Sequence, residues 1–378
     1  MFRILKIPLT NICKQCIVTN NYRRKDKSIK EGDNEKGGTK MKTNWLKYAV
    51  ALFSVIFILA ACGENKAENA SKPSNDEKEQ GTNEDTKKYK IGMTQIVEHP
   101  SLNAAADGFK KALADAGLDV EYVEQNAQND NSSNTTIANN LVSSGVDLIF
   151  ANSTPSAQAV AVATQEIPIV FTSVTDAVSA ELVASMESPG GNVTGTIDNH
   201  PEAIPATMKF MKEELGVKNV GMVFNAGEQN SRSQVDAVKE ILKDMDMTVK
   251  EAPVATSADV KQATESLIGK VDAFYIITDN TVVSALESVI DVANANKIPL
   301  LVGEFDSVKR GGLGAYGFEF YDIGFEAGQM AVKILKGESK PADLPVQIPQ
   351  NLKFVINKAT ADTLGLDIKD EWKAELSE

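Results

Sequence analysis

Cysteine and histidine are scarce in this chain, which has three cysteines and two histidines among 378 residues. The histidines, His99 and His200, lie about a hundred residues apart and form no HExxH or other metal-ligand spacing. The sequence has no GxSxG elbow, and Gly269-Lys270 lacks the rest of a P-loop. The sequence therefore predicts no metal site, no cofactor and no catalytic residue.

Arginine is also rare after residue 61. Residues 62–378 hold 27 Lys and Arg against 48 Asp and Glu, a net charge of −21, and their only arginines are Arg232 and Arg310. An acidic surface of this kind repels phosphate backbones, so we expect no nucleic-acid partner. Both tryptophans, Trp45 and Trp372, lie outside the predicted binding segments, and the scarcity of aromatic residues argues modestly against a sugar ligand.

One long apolar run precedes the acidic region. Tyr48–Ala61 is uncharged for 14 residues, short of the roughly 20 that a membrane-spanning helix needs. Lysines precede this run, and Leu59-Ala60-Ala61-Cys62 ends it in a pattern that resembles the bacterial lipoprotein box. We expect residues 41–61 to be a lipoprotein signal peptide and Cys62 to carry the lipid anchor; a buried helix fits the polar segment that follows poorly.

The segments on either side of this signal have their own interpretations. We interpret residues 1–40 as an untranslated leader read in frame, because Lys36-Gly37-Gly38 can be encoded by a ribosome-binding site just ahead of Met41. The pair Cys13-x-x-Cys16 within it is weak support for zinc or redox chemistry. Residues 62–88 combine the lipidated cysteine with a stretch rich in Asn, Glu, Lys and Ser, which predicts a disordered tether.

From Tyr89 onward, short apolar runs alternate with segments of helical spacing. The predicted strands are Lys90–Gln95, Asp119–Gln125, Val146–Asn152 and Ile167–Ser173, and the helices between and before them cover 101–115, 134–144 and 155–165. This alternation predicts a parallel sheet covered by helices on both faces. Equivalent segments recur at offsets of 129, 125 and 131 residues. We therefore predict an α/β fold of two similar doubly wound lobes joined by a hinge, with the ligand site in the cleft between them.

Several segments together carry a family resemblance. The lipoprotein box, the tether, the duplicated lobes and the stretches PGGNVTG, DNT and FVINKATADTLGL resemble the extracytoplasmic solute-binding proteins of ABC importers, which have the type I periplasmic-binding-protein fold. The chain is most similar to the subfamily that includes tryptophan- and other aromatic-amino-acid-binding lipoproteins, over about residues 89–368. The resemblance implies a first lobe of 88–196 plus 317–342 and a second lobe of 197–316 plus 343–378.

The resemblance also implies partners and a location. An ABC permease and its ATPase are the expected partners, and a monomer held by lipid at the extracytoplasmic face of the cell membrane is the expected state. The predicted function is capture of a small zwitterion, an amino acid and, by resemblance, an aromatic one such as tryptophan. Three alternatives stay open: a ligand sensor or receptor accessory of the same fold, a sugar or nucleoside ligand, and a secreted α/β enzyme.

In open parallel sheets, ligands bind beyond the carboxyl ends of the strands. In the first lobe these positions are rich in hydroxyl groups at helix starts, and we predict that they hold a carboxylate, with Thr154 capping a helix whose first position is Pro155. The first-lobe candidates are Gln95, Ser153, Thr154, Ser156, Thr172, Ser173 and Asp176.

The second lobe is rich in carboxylates and amides at the equivalent positions, its candidates being Glu228, Asn230, Ser231, Asp279, Asn280 and Glu304. We predict that Asp279, Glu228 and Asp176 hold an ammonium group. Asn230-Ser231 and Asp279-Asn280 match the family's ligand-contacting stretches, although Gln229 occupies the place of the family's acidic residue. Each of these residues has an alternative role as a helix cap, and Asp176 in particular could cap a helix over 177–185.

Overall fold

The computed structural model describes residues 87–377. The predicted leader, the signal peptide, the lipidated Cys62 and nearly all of the tether lie outside the described residues. No helix within residues 87–377 combines the length and the apolar character that a membrane span requires.

A five-stranded sheet forms the core of the first lobe. Its elements are β1 (Lys88–Gln95), α1 (Pro100–Asp115), β2 (Asp119–Asn126), α2 (Asn131–Ser143), β3 (Leu148–Asn152), α3 (Thr154–Ala163), β4 (Ile169–Val174) and β5 (Val193–Ile197). The strands are all parallel in the order β2-β1-β3-β4-β5. Every residue of β3, β4 and β5 is buried, as expected for parallel strands that have helices on both faces.

A seven-stranded sheet forms the core of the second lobe. The elements that follow β5 are α4 (Ala203–Glu213), β6 (Asn219–Asn225), α5 (Gln229–Leu242), β7 (Thr248–Val254), α6 (Val260–Ser266), β8 (Ala273–Ile276), α7 (Asn280–Val283), α8 (Leu286–Ala295), β9 (Leu300–Val302), α9 (Phe305–Arg310), β10 (Gly314–Gly317), α10 (Phe320–Leu335), β11 (Lys353–Asn357), α11 (Lys358–Leu364) and β12 (Glu375–Ser377). Short 3₁₀ turns lie at Ser257–Asp259, Pro341–Asp343 and Asp370–Trp372. The strand order is β12-β11-β10-β9-β8-β6-β7.

The predicted α/β fold of two lobes with parallel sheets is confirmed, with one exception in the second sheet. There β10 and β11 pair antiparallel. The chain between them leaves the second sheet, because α10 packs against α1, β4 and β5 of the first lobe. Strand β11 therefore enters the second sheet from the other lobe rather than through a crossover helix on the same sheet.

Glycines allow α10 to pack very closely against α1. A Cβ atom added at Gly324 would lie 1.9 Å from the carbonyl oxygen of Ala105, and one added at Gly108 would lie 2.1 Å from that of Tyr321. Neither position can accept a larger side chain without separating the helices. The segment after α10 stays beside β5 through Gln347, whose backbone bonds Gly195 and Ile197, a few residues beyond the predicted change of lobe at 343.

Two local predictions differ from the structure. Residues 177–182 form hydrogen-bonded turns rather than a helix over 177–185, and Glu181 ends them with a φ of 60°. Helix α3 is capped by Ser153, whose hydroxyl accepts from the Ser156 backbone N–H. Thr154 is therefore the first helical residue rather than the cap, and its hydroxyl accepts instead from the backbone N–H of Thr175.

Candidate functional site

The carboxyl ends of the two sheets face each other and enclose a small cavity. About 250 Å³ of non-atom space lies here, part of it open to solvent, and only about 10 Å³ of it is reached by the centre of a water molecule, so the lobes must separate to admit a ligand. Its lining residues are His99, Leu102, Ser173, Asp198 and Phe320 from the first lobe and its flanking segments, and Thr278, Asn280, Val283 and Glu304 from the second lobe. Two of these described residues are carboxylates, and none is a lysine or arginine.

Asp198 follows β5 directly and is 8% exposed. Its Oδ1 accepts a hydrogen bond of 3.0 Å from the Thr175 hydroxyl, and the hydroxyl of Thr278 in the second lobe also stabilises the charged form. Burial nevertheless raises the pKa of Asp198 to about 6, because the charged form loses more by desolvation than these hydroxyls return. A cationic group entering the cavity would compensate this charge.

Ser173 contributes a strained backbone and an unused hydroxyl to the same cavity. Its φ is 56°, a left-handed conformation that is costly for a residue with a Cβ atom. The side chain is 5% exposed, and its Oγ has no hydrogen-bond partner among the described residues. Strain together with an unsatisfied donor is typical of a position shaped by ligand contact rather than by packing.

His99 caps the N-terminus of α1 and is a neutral imidazole. Its Nδ1 accepts from the Leu102 backbone N–H at 3.5 Å, so the ring proton lies on Nε2. Burial, reinforced by the positive charge of Arg310, lowers the pKa of His99 to about 3. Asn280 of the second lobe lies beside the imidazole. His99 therefore offers the cavity a neutral N–H donor.

Glu304 caps α9 from the opposite side of the cavity. Its carboxylate accepts from the backbone N–H groups of Asp306 and Ser307 at 2.6 and 2.9 Å, and also from the Ser307 hydroxyl. Burial raises the pKa of Glu304 despite these donors. The Ser101 hydroxyl lies beside Glu304 and stabilises its charged form, although it makes no hydrogen bond of normal geometry.

A second pair of buried carboxylates, Asp279 and Glu228, lies behind the cavity in the second lobe. Asp279 accepts from the backbone N–H groups of Asn225 and Val282 at 2.6 and 2.7 Å and from the Ser231 hydroxyl at 2.6 Å. Burial and the neighbouring Glu228 raise the pKa of Asp279 to about 7. Because its two oxygens already have three donors, Asp279 ties β6, α5 and α7 together and does not line the cavity.

Glu228 joins this pair to the other lobe. It accepts from Asn280 Nδ2 at 2.6 Å and from the Thr281 hydroxyl at 2.9 Å, and Asn129 of the first lobe donates to the same Thr281 oxygen at 2.9 Å. A second bridge runs through Gln234, whose Nε2 donates to Thr278 in its own lobe at 2.8 Å and to Thr175 of the first lobe at 3.4 Å. The described lobes are thus held together by direct hydrogen bonds.

The structure brings three of the predicted site residues to the cavity wall, namely Ser173, Asn280 and Glu304. Four others are buried in internal hydrogen bonds of the first lobe: Ser153 and Thr154 as described above, Ser156 with Asn134 at 3.3 Å, and Thr172 with Thr196 at 2.9 Å. Asn230 and Ser231 belong to the acidic cluster with Glu228 and Asp279.

Two predicted residues lie elsewhere. Gln95 lines a separate groove of the first lobe beside α1, where its amide bonds Asn103 and Asn152. Asp176 caps the turns that follow it, accepting from the backbone N–H groups of Val178 and Ser179. Neither side chain lines the cavity between the lobes.

Sequence reasoning missed His99, Asp198, Thr278 and Phe320, all of which line the cavity. The rule that selects polar residues after strands also applies to Asp198, which follows Val193–Ile197 directly. Phe320 gives no such signal, because it begins α10, a helix that reaches the cavity by packing on the first lobe.

Comparison with known proteins identifies the family to which the chain belongs. Residues 90–377 match a family described as ABC transporter substrate binding protein. A tyrosine-binding protein of Clostridioides difficile is 42% identical over 317 residues, which are 82% of this chain and 89% of that relative.

Two solved structures superpose on this chain to different extents, and the difference concerns the arrangement of the two lobes. An ABC domain from Streptococcus pneumoniae in complex with L-Trp is 33% identical with a TM-score of 0.71, over 76% of this chain and 99% of that one. The ligand-free, open structure of a Clostridium difficile substrate-binding protein with adhesive properties is 39% identical, yet its TM-score is 0.59, over 77% of this chain and 99% of that one. Higher identity with lower superposition indicates that the lobes described here are arranged differently from the open form.

Proposed function

Because this chain belongs to the ABC transporter substrate-binding protein family, we propose that it captures an aromatic amino acid between its two lobes and delivers it to a membrane permease. One observation indicates the chemical class of the ligand. The cavity contains two buried carboxylates, Asp198 and Glu304, and among the described residues no lysine or arginine lines it, while its one histidine, His99, is neutral. Buried charge of one sign is unfavourable until an opposite charge joins it, so the ligand brings a cation.

The ammonium group of the ligand binds Asp198. This carboxylate accepts from the Thr175 hydroxyl and lies beside the Thr278 hydroxyl of the second lobe, whereas Asp279 and Glu304 each accept from two backbone N–H groups. Asp198 is therefore the carboxylate whose charge is least compensated by the protein. The unpartnered hydroxyl of Ser173 beside it then donates to the ligand's carboxylate.

Apolar side chains on the cavity wall supply the contact for an aromatic ring. Leu102, Val283 and Phe320 line the cavity together with the polar groups, and aromatic side chains pack favourably against such surfaces. The relatives support this class of ligand, since one is a tyrosine-binding protein at 42% identity and another was solved with L-Trp at 33% identity.

The lobes open to admit the ligand and close around it, and the bound ligand shifts the population toward the closed form. An ABC permease and its ATPase then accept the ligand from the closed form. We propose that the protein acts as a monomer at the extracytoplasmic face of the cell membrane, held there by lipid on Cys62. Two acyl chains or more are sufficient for stable anchoring.

A thermal-shift screen of the purified protein against amino acids, sugars and nucleosides tests the ligand class. A ligand at 100 times its dissociation constant adds about 2.7 kcal/mol to the stability of the folded state. Tyrosine and tryptophan should raise the melting temperature, while neutral sugars and nucleosides, which bring no ammonium group to Asp198, should not. Stabilisation by a sugar alone would contradict the proposal.

A further inference from the structure

The interlobe cavity has two chemically different ends. In the first sheet, β1 is separated from β4 by β3, and β5 lies one strand further. At about 4.8 Å between neighbouring strands, the segment after β1 lies roughly 10–14 Å from the ends of β4 and β5. His99 follows β1, whereas Ser173 and Asp198 belong to the ends of β4 and β5. The lining residues therefore spread over a span comparable to the length of an extended aromatic amino acid.

The end formed by His99 also contains Glu304. Helices α1 and α9, which these two residues cap, are in contact. Ser101, two residues from His99, lies beside the Glu304 carboxylate. This end thus combines a neutral N–H donor, a carboxylate acceptor and the Ser101 hydroxyl, which is fully buried and has no partner of normal geometry among the described residues.

A donor and an acceptor placed together fit a ligand group that both accepts and donates. A phenol hydroxyl does both, an indole N–H only donates, and a phenyl ring does neither. We propose that His99 and Glu304 recognise a hydroxyl group at the far end of the ligand's ring, so that the site selects tyrosine over phenylalanine and tryptophan. This inference rests on the proposed function, in which Asp198 holds the ligand's ammonium group at the opposite end.

Calorimetric titration of the purified protein with four ligands tests the selection: L-tyrosine, L-phenylalanine, L-tryptophan and O-methyl-L-tyrosine. A site built to hydrogen-bond a hydroxyl group discriminates strongly against the analogue that lacks it. L-tyrosine should bind at least about 10-fold more tightly than L-phenylalanine. O-methyl-L-tyrosine, which has no proton to donate to Glu304, should bind no better than L-phenylalanine.

Two variants show whether His99 and Glu304 cause the selectivity for tyrosine. His99→Asn keeps a residue that caps helices well but removes the Nε2 donor, and Glu304→Gln removes the carboxylate charge. Each should bring the ratio of the phenylalanine and tyrosine dissociation constants toward one, mainly by weakening tyrosine. Glu319→Gln is the matched control, because Glu319 is exposed, begins α10 without a side-chain cap bond and does not line the cavity.

The outcomes separate this inference from the proposed function. If phenylalanine and tyrosine bind the unaltered protein equally well, the inferred selectivity for tyrosine is wrong, while the proposal that the protein captures amino acids stands. If none of the four ligands binds, the proposed function and this inference both fail. If His99→Asn and Glu304→Gln weaken all four ligands by the same factor, the residues support the fold rather than select the ligand, and the inference is overturned.

Discussion

Asn129 of the first lobe donates a hydrogen bond of 2.9 Å to the Thr281 hydroxyl of the second lobe. Thr281 in turn donates to Glu228 at 2.9 Å, so this bridge between the lobes is anchored in the buried acidic cluster. Asn129 has a φ of 62°, a conformation that asparagine tolerates better than most residues. The bridge favours the closed arrangement without any contribution from a ligand.

Breaking this bridge should weaken ligand binding. In Asn129→Gly the positive φ is kept at no steric cost, while the hydrogen bond between the lobes is lost. A net loss of about 1 kcal/mol from the closed state corresponds to an affinity about fivefold lower. Calorimetric titration measures the affinity, and small-angle X-ray scattering of the ligand-free variant should show a larger radius of gyration.

Gln128→Gly is the matched control for this experiment. Gln128 also has a positive φ, of 52°, and it is exposed. Its substitution should leave both the affinity and the radius of gyration unchanged. Equal effects of the two glycine variants would mean that chain flexibility, and not the bridge, determines the result.

Ser173→Gly should make the ligand-free protein more stable and the complex weaker. Glycine relieves the left-handed strain at φ 56° and removes a buried hydroxyl that has no partner among the described residues. We expect a gain of about 1 kcal/mol in the free energy of unfolding by urea. The same change should reduce amino-acid affinity, because the proposed donor to the ligand's carboxylate is lost. A variant that gains stability and keeps full affinity would show that Ser173 does not contact the ligand.

The stability of the ligand-free protein should fall as pH rises from about 5 to about 7. Burial raises the pKa of Asp198 to about 6, and burial with Glu228 raises the pKa of Asp279 to about 7. The folded state therefore binds more protons than the unfolded state in this range, and its stability declines as those protons dissociate. For Asp198 the full effect between about pH 4 and pH 7 is on the order of 3 kcal/mol, and somewhat less than half of it falls above pH 5. The lowered pKa of His99 acts with the opposite sign in this range and makes the net decline smaller. Urea unfolding at a series of pH values measures it.

The pH experiment has an internal control in Asp198→Asn, which should show a shallower decline because one of the buried carboxyl groups with a raised pKa is gone. The exposed carboxyl groups whose pKa is lowered, such as Glu121 and Glu214, act below this range and with the opposite sign. A free energy of unfolding that rises between pH 5 and pH 7 would show that the buried carboxyl groups do not govern the stability.

Cys62→Ser should release the protein from the membrane. The cysteine lies outside the described residues, so this prediction depends on the sequence pattern at residues 59–62 alone. Fractionation of bacteria that express the protein should find the unaltered chain with the membranes and the variant in the soluble fraction outside the cytoplasmic membrane. Membrane association of the variant would exclude a lipid anchor on Cys62.

The sequence predicted most of the fold, because the fold follows from regular patterns. Buried parallel strands such as Leu148–Asn152 appear as continuous apolar runs, and the repeated order of segments revealed the second lobe. The helix over 177–185 that Asp176 could cap does not form: the residues after Asp176 form turns, and Glu181 takes a left-handed conformation that ends them.

The site was predicted only in part, because a polar side chain at a strand end can hydrogen-bond to the neighbouring backbone instead of facing the cavity. Ser153 and Asp279 occupy the expected strand ends, but neighbouring backbone N–H groups already occupy their oxygens. Ser173 and Glu304 occupy equivalent positions and line the cavity. His99 and Glu304 each cap a helix and line the cavity as well, so the identity of a residue at a helix start does not reveal whether it also faces the cavity.

Titration of L-tyrosine into the unaltered protein and into Asp198→Asn at pH 7.5 tests the central claim most directly. If Asp198 holds the ammonium group of the ligand, the substitution should weaken binding at least about 30-fold, and the ligand-free variant should be no less stable than the unaltered protein because a buried uncompensated carboxylate has been removed. Glu202→Gln, an exposed residue nearby, should bind normally. An Asp198→Asn affinity within about threefold of the original would contradict the account.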